Sequence, residues 1–266
     1  MQRKSILPVR SPLLMSSMRF GFLVPVYNHG AALESVVKKL VHYAVPVIIV
    51  DDGNGAADRA YISAVAARYS EVIVVTRAKN GGKGKAVIDG VKKAYELGLT
   101  HIFQIDSDGQ HDAERAGHFL ELSREHPDAV ICGFPEYDAD APEARVKGRA
   151  VANGWIHFVT LSQDIKDGMI GFRIYPVEPF YRLIQRHAVI DARMGCDIEI
   201  LVRLFWAGVP IISESVKVNY PEDGISNFHV VRDNIRISLV YARLCIGMIF
   251  RLPKLILWRQ KKGKRV

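Results

Sequence analysis

From Phe20 to Gly133, apolar runs of five to seven residues alternate with segments long enough for several turns of helix, which leaves few architectures open. Strand-length runs at Phe20–Val26, Val45–Val50, Val72–Thr76, His101–Ile105 and Ala129–Gly133 are separated by helical patterns at Ala31–Tyr43, Ala57–Tyr69, Lys85–Leu97 and Ala113–His126. This order predicts an α/β chain with a mostly parallel, Rossmann-like sheet flanked by helices. Sheets of that kind bind ligands beyond the carboxyl ends of their strands. Tyr27-Asn28, Asp51-Asp52 and Asp106-Ser107-Asp108 all fall at such ends.

After Gly133 the alternation fails. Phe134–Lys147 holds two prolines and many charges and reads as a loop, in the position of a lid. Helices are expected near Gly148–Leu161, Pro179–His187 and Asp197–Ala207, with a strand near Val209–Val218. The chain divides into a flexible leader over 1–18, an α/β domain over 19–228 and an amphipathic, basic segment over 229–266.

The formal charge of +8 suggests a nucleic-acid surface until it is located. Residues 1–19 carry four basic side chains and no acid, and residues 251–266 carry seven and no acid. Removing those eleven from the 36 basic residues leaves 25 against 28 acidic ones, so the body is mildly acidic and a nucleic-acid-binding face is not expected. Cys132, Cys196 and Cys245 are widely spaced and form no zinc or disulfide pattern, which fits a reducing compartment. No interrupted or continuous run reaches the ~18 apolar residues of a membrane span. The longest candidate, Ile237–Phe250, is short and contains Arg243.

The strongest local signal is Gln104-Ile105-Asp106-Ser107-Asp108-Gly109-Gln110-His111. Two carboxylates one residue apart at a strand end point the same way and repel unless a cation lies between them. Mg²⁺ or Mn²⁺ shared with phosphate oxygens suits that pair, and would neutralise a departing diphosphate. The alternative is a pair of solvated turn residues before a helix. Asp51-Asp52-Gly53 ends a neighbouring strand, where a carboxylate is able to accept a hydrogen bond from a base. Asn80-Gly81-Gly82-Lys83-Gly84-Lys85 lacks the spacing and hydroxyl of a P-loop, yet glycines and lysines before a helix are suited to phosphate. No Gly-x-Gly-x-x-Gly follows the first strand and no Gly-x-Ser-x-Gly is present, which argues against nicotinamide or flavin chemistry and a serine hydrolase.

Val24-Pro25-Val26-Tyr27-Asn28, Val50-Asp51-Asp52-Gly53, Asn80 through Gly84, Asp106 through His111, Gly171-Phe172-Arg173 and Asp197-Ile198-Glu199 occur together in an order and spacing that resembles glycosyltransferase family 2, over about residues 20–228. Within it the chain is most similar to the dolichyl-phosphate-mannose-synthase-like group, and to bacterial members that occur with polyene-lipid assembly genes. The resemblance implies a GT-A fold and an inverting, hexosyltransferase-type transfer from a UDP- or GDP-sugar. It implies nucleotide-sugar contacts from Pro25, Tyr27, Asn28, Asp51, Lys83, Asp106, Ser107 and Asp108, and Mg²⁺ or Mn²⁺ held by Asp106, Asp108 and Gln110. His29 stands where many members have glutamate.

The acceptor side departs from the pattern. Prenyl-phosphate-using members carry an arginine at the place of Pro135 and commonly a lysine at the place of Asn227. Arg145, Arg149 and Arg173 are the remaining candidates for that side, with Lys147 nearby. A hydroxyl acceptor instead needs a general base, for which Asp197 is the first candidate and Asp167 the second. From Arg232 onward spaced cations accompany apolar stretches, and Leu255-Ile256-Leu257-Trp258 runs into the basic end, the composition of an interfacial anchor on anionic lipid. The expected function is therefore sugar transfer to a lipid-linked acceptor, peripherally on the inner face of the cytoplasmic membrane. A polyprenyl-phosphate acceptor is one alternative, and an inactive, membrane-associated nucleotide-sugar-binding protein another.

Overall fold

A computed structural model describes residues 18–109, 115–136, 143–186, 189–217 and 230–263. Residues 1–17 of the leader expected over 1–18, Gln110 and Asn227 lie outside the described residues. The first half alternates as its sequence predicts: β1 (Phe20–Val26), α1 (Gly30–Leu40), β2 (Val47–Asp51), α2 (Ala56–Arg68), β3 (Val72–Thr76), α3 (Lys83–Glu96), β4 (His101–Gln104), α4 (Ala116–Glu125) and β5 (Val130–Glu136). Every residue of β2 is buried, as are all but one of β1, because helices cover both faces of these strands.

The second half contributes α5 (Glu143–Thr160), β6 (Arg173–Pro176), α6 (Val177–Gln185), α7 (Cys196–Trp206), β7 (Ile211–Lys217), α8 (Val230–Ile249) and α9 (Leu252–Gly263). The strand order is β3-β2-β1-β4-β6-β5-β7. β1, β2, β3 and β4 pair in parallel, as do β5 and β7, whereas β6 runs antiparallel to both of its neighbours. The chain first builds outward from β1 through β2 to β3, then returns to add β4 on the other side of β1. That reversal opens a crevice beyond the ends of β1 and β4, the place where open α/β sheets take their ligands.

Two expectations for the middle of the chain need correction. The loop expected over Phe134–Lys147 is shorter, because Phe134, Pro135 and Glu136 continue β5 against Ser215, Val216 and Lys217 of β7, and α5 begins at Glu143. β5 pairs with β6 only at Ile131 and Cys132, so an edge is open by Pro135, and a strand tolerates proline at an edge. β6 was not expected at all. It has four residues and opens on an arginine, so it shows neither the length nor the pattern of a strand.

Beneath the sheet, Phe172 packs edge-on against Phe103 and Phe119, with ring centroids 4.7 and 4.8 Å apart. The C-terminal helices close on the same body. Tyr241 of α8 donates its hydroxyl to the Ala152 carbonyl of α5 at 2.9 Å. Glu199 of α7 is fully buried; it accepts from Arg203 of its own helix at 3.1 and 2.7 Å and from both Nε and Nη2 of Arg243 at 2.9 and 2.7 Å. Arg243 therefore ties α8 to α7 and does not serve as an outward cation. Gly247 leaves room for the Trp206 ring, over which the Arg251 guanidinium lies at 4.8 Å. Among the described residues no helix is long and apolar enough to cross a membrane.

Candidate active site

The crevice is framed by the loops after β1, β2 and β4. At the end of β1, Asn28 takes a left-handed backbone with φ of 59°, a conformation asparagine adopts more readily than most residues. Its N–H donates to the Asn54 side chain at 2.8 Å, and the Asn54 amide donates to the Val26 carbonyl at 2.9 Å and to Asp51 at 2.7 Å. Asp51 also accepts from the Asn54 backbone at 2.8 Å and pairs with Arg59 at 3.2 Å. The carboxylate expected to meet a base is thus buried among protein donors. Asn54 was not singled out from the sequence, where an asparagine in a turn is unremarked, yet it locks the ends of β1 and β2 together.

Asp52 does comparable work one residue on. Its two oxygens accept from the Gly81 and Gly82 backbones at 2.9 and 2.7 Å, and Arg77 approaches at 2.9 Å. The turn entering α3 is pinned in this way to the end of β2. Gly82 has φ of 93°, and a Cβ there would meet the Ala192 carbonyl at 2.2 Å, so the turn requires glycine on both counts. Gly84 donates to that same carbonyl at 3.0 Å. Lys83, held between these two glycines, points its side chain into the crevice.

The Lys83 ammonium lies 2.8 and 3.0 Å from the two oxygens of Asp106, at the end of β4, and 2.7 Å from Asp197, in the first turn of α7. Residues 23 and 114 positions from the lysine are thereby joined through one cation. Burial alone would lower the lysine's pKa, but the Asp106 and Asp197 carboxylates outweigh it and hold the pKa above the ordinary lysine value. Asp197 is only 2% exposed and accepts from Gln104 of β4 at 3.0 Å, while its backbone carbonyl takes Arg173 Nη1 at 2.6 Å. Arg173, considered for the acceptor side, is fully buried under α7 and supports Asp197 from below. Burial pushes the neighbouring Cys132 thiol up to about 11 and raises Cys196 as well, so both stay protonated at neutral pH.

Gly171 shapes the opposite wall. A Cβ there would fall 2.2 and 2.4 Å from the Asp106 oxygens, so the glycine makes the cradle in which that carboxylate sits. Ser107 is buried and Asp108 partly exposed in the turn that follows. Hard oxygen donors, a glycine-made cradle and an ammonium already standing on Asp106 together fit a divalent cation at this position. Among the described residues no group of three or more acidic, histidine or cysteine side chains gathers as a metal site. Two other expectations turn out to be partners of each other: Arg149 bonds the buried Asp167 carboxylate at 2.8 Å. Asp167 further accepts from the Met169 and Ile170 backbones at 2.8 Å each, which shapes the approach to Gly171. The side chain of Arg145 lies outside the described residues.

Among solved structures, glucosyl-3-phosphoglycerate synthase from Mycobacterium tuberculosis, in complex with Mn²⁺, UDP-glucose and glycerol 3-phosphate, superposes with a TM-score of 0.68 at 14% identity over 88% of this chain and 82% of that one. The strand order and flanking helices are those of a GT-A fold. A model of glycosyl transferase family 2 matches residues 22–191, and the chain belongs to that family. Its relatives include the UDP-N-acetylglucosamine–dolichyl-phosphate N-acetylglucosaminyltransferase of Methanococcus voltae, 31% identical over 112 residues that make up 36% of this chain and 44% of that protein. Another is the polyprenol monophosphomannose synthase of Mycolicibacterium smegmatis, 24% identical over 77% of this chain and 78% of that one. These names agree with a dolichyl-phosphate-mannose-synthase-like group.

Proposed function

We propose that this glycosyltransferase binds a UDP- or GDP-linked sugar together with Mg²⁺ or Mn²⁺ and transfers the sugar, with inversion, to a lipid-linked acceptor at a membrane surface. The observation that carries the reading is the meeting of Asp106 and Asp197 on one lysine, within the crevice at the strand-order reversal. A divalent cation bound there would supply charge neutralisation for the leaving nucleoside diphosphate. Asp106 and Asp108 would hold it, with Gln110 from the adjoining segment as a third donor. Lys83 and the turn before α3 add positive charge where a diphosphate would lie. Pro25, Tyr27, Asn28 and Asp51 shape the nucleoside side, with Asp51 acting through the Asn54 and Arg59 network. Asp197, held by Gln104 and Arg173, is the group that would take the proton of an acceptor hydroxyl.

A second reading has its own support. Relatives are named for transfer to dolichyl phosphate or polyprenol monophosphate, and an acceptor phosphate is already anionic, so it needs no base. In that case Asp197 would position Lys83 and remove no proton.

The membrane part of the proposal rests on surface chemistry. Val151, Trp155 and Phe158 of α5, Ile246, Ile249 and Phe250 at the end of α8, and Leu257 of α9 are all exposed. The seven cations of residues 251–266 follow directly, a pairing that favours anionic bilayers. Incubating the full chain with Mn²⁺, UDP- or GDP-sugars and bacterial lipid extract, followed by mass spectrometry of the lipids, tests the function. A hexose-sized mass increment on a lipid is expected, and sugar released only to water would refute transfer to lipid.

A further inference from the structure

We infer that Lys83 is the resident counter-cation of Asp106, so that a divalent ion and this lysine compete for one carboxylate and the ion binds well only together with a nucleoside diphosphate. The inference rests on the donor-and-metal reading above and assigns to Lys83 a control over metal loading that the reading itself does not require.

The geometry leaves little room for both cations. Lys83 Nζ lies within hydrogen-bonding distance of both Asp106 oxygens, at 2.8 and 3.0 Å. A divalent ion ligated by the same carboxylate sits about 2.1 Å from an oxygen, which would place it within a few ångströms of the ammonium in a partly buried, weakly screened setting. The ammonium has to give way.

The backbone cannot carry it aside. Asp52 holds the Gly81 and Gly82 N–H groups, and Gly84 is bonded to the Ala192 carbonyl, so the main chain is fixed on both sides of Lys83. Gly84 is also closely packed, with the Asp191 carbonyl 2.0 Å from where a Cβ would be. Only the flexible side chain moves. Asp197, its other partner at 2.7 Å, retains one side of the ammonium while Asp106 is released to the metal. A diphosphate arriving with the ion offers the freed side of Lys83 a new anion, replacing the lost contact. Metal alone therefore displaces Lys83 without compensation, whereas metal and diphosphate together compensate it. Lys83 acts here as a positioning residue that makes the two ligands bind cooperatively.

Electron paramagnetic resonance of free Mn²⁺ tests this on the full chain, without any turnover. Wild-type protein is expected to bind Mn²⁺ weakly alone and about tenfold or more tightly with UDP or GDP. Lys83→Met is expected to bind Mn²⁺ alone about fivefold or more tightly than wild type and to lose most of the nucleotide's effect. Tighter binding is a result that a merely damaged site does not give. Lys83→Arg keeps the charge and should retain weak binding of Mn²⁺ alone, which keeps the test decisive if circular dichroism shows the methionine variant unfolded. Mn²⁺ binding alone that is unchanged or weaker in Lys83→Met, or tightened in Lys83→Arg, overturns the inference while a wild-type Mn²⁺–nucleotide complex leaves the donor reading standing. Absence of Mn²⁺ binding in every arm overturns both.

Discussion

At the scale of single residues, the site is a set of carboxylates with different assignments that composition does not distinguish. Asp51, Asp52 and Asp167 spend their oxygens on backbone N–H groups, amides and arginines, and so act as builders of turns. Asp106 and Asp197 spend theirs on one another's lysine. The sequence made Asp106 and Asp108 legible because two acids one residue apart at a strand end have an electrostatic problem to solve. It made Asp197 legible only by resemblance, since an acid in the first turn of a helix is ordinary. Asn54 was illegible, because its role depends on a contact to Asn28, 26 residues away, that no local pattern announces. Asp197→Asn preserves shape and the hydrogen-bond acceptor on one side while removing the base. For a hydroxyl acceptor kcat is expected to fall about 10²- to 10⁴-fold with KM for the donor little changed. With a polyprenyl phosphate acceptor the fall should stay under about tenfold, so single-turnover rates on the two acceptor types decide Asp197's role.

At the scale of elements, the alternation in the first half translated directly into β1 to β5, because buried parallel strands are apolar runs and their helices are long. The second half resisted for physical reasons. β6 is short, antiparallel and begins with the fully buried Arg173, and α5 starts inside a charged stretch that reads as loop. The link between α7 and α8 was also hidden, since Glu199 and Arg203 have the spacing of a surface pair whereas burial and Arg243 make them an internal tie. Glu199→Ala leaves Arg203 without its carboxylate in a mostly buried position, and a cost of about 3–5 kcal/mol is expected from urea unfolding. Limited proteolysis should cut such a variant between α7 and α8 faster than wild type, and equal rates would mean that apolar packing alone holds α8.

Across the whole molecule, charge and apolar surface are distributed unevenly. The mildly acidic body carries the crevice, and the basic end adjoins exposed Phe250, which is 81% exposed, and Leu257. The structure sharpens how that end should be tested. Leu255 is buried and Trp258 packs against Phe205 with centroids 5.0 Å apart, so removing residues 251–266 would uncover core as well as remove cations. Replacing Phe250 and Leu257 with aspartate changes only the outer face. Each side chain contributes roughly 1.5–3 kcal/mol when buried in lipid, so binding to phosphatidylglycerol vesicles is expected to fall at least about tenfold without loss of thermal stability. Unchanged vesicle sedimentation would refute a bilayer role for this face.

The central claim, that the Asp106 and Lys83 crevice takes a nucleoside diphosphate sugar with a divalent ion, is tested most directly by thermal unfolding of the wild-type chain. The panel would hold UDP, GDP and their hexose conjugates, each with and without Mn²⁺. Ligand at about a hundred times its Kd adds about 2.7 kcal/mol, and roughly 2–4 °C accompanies each kcal/mol in a domain of this size. The predicted result is a rise in Tm of several degrees with one nucleotide class in the presence of Mn²⁺ and a much smaller rise without it. No metal-dependent rise with any of them would contradict the account.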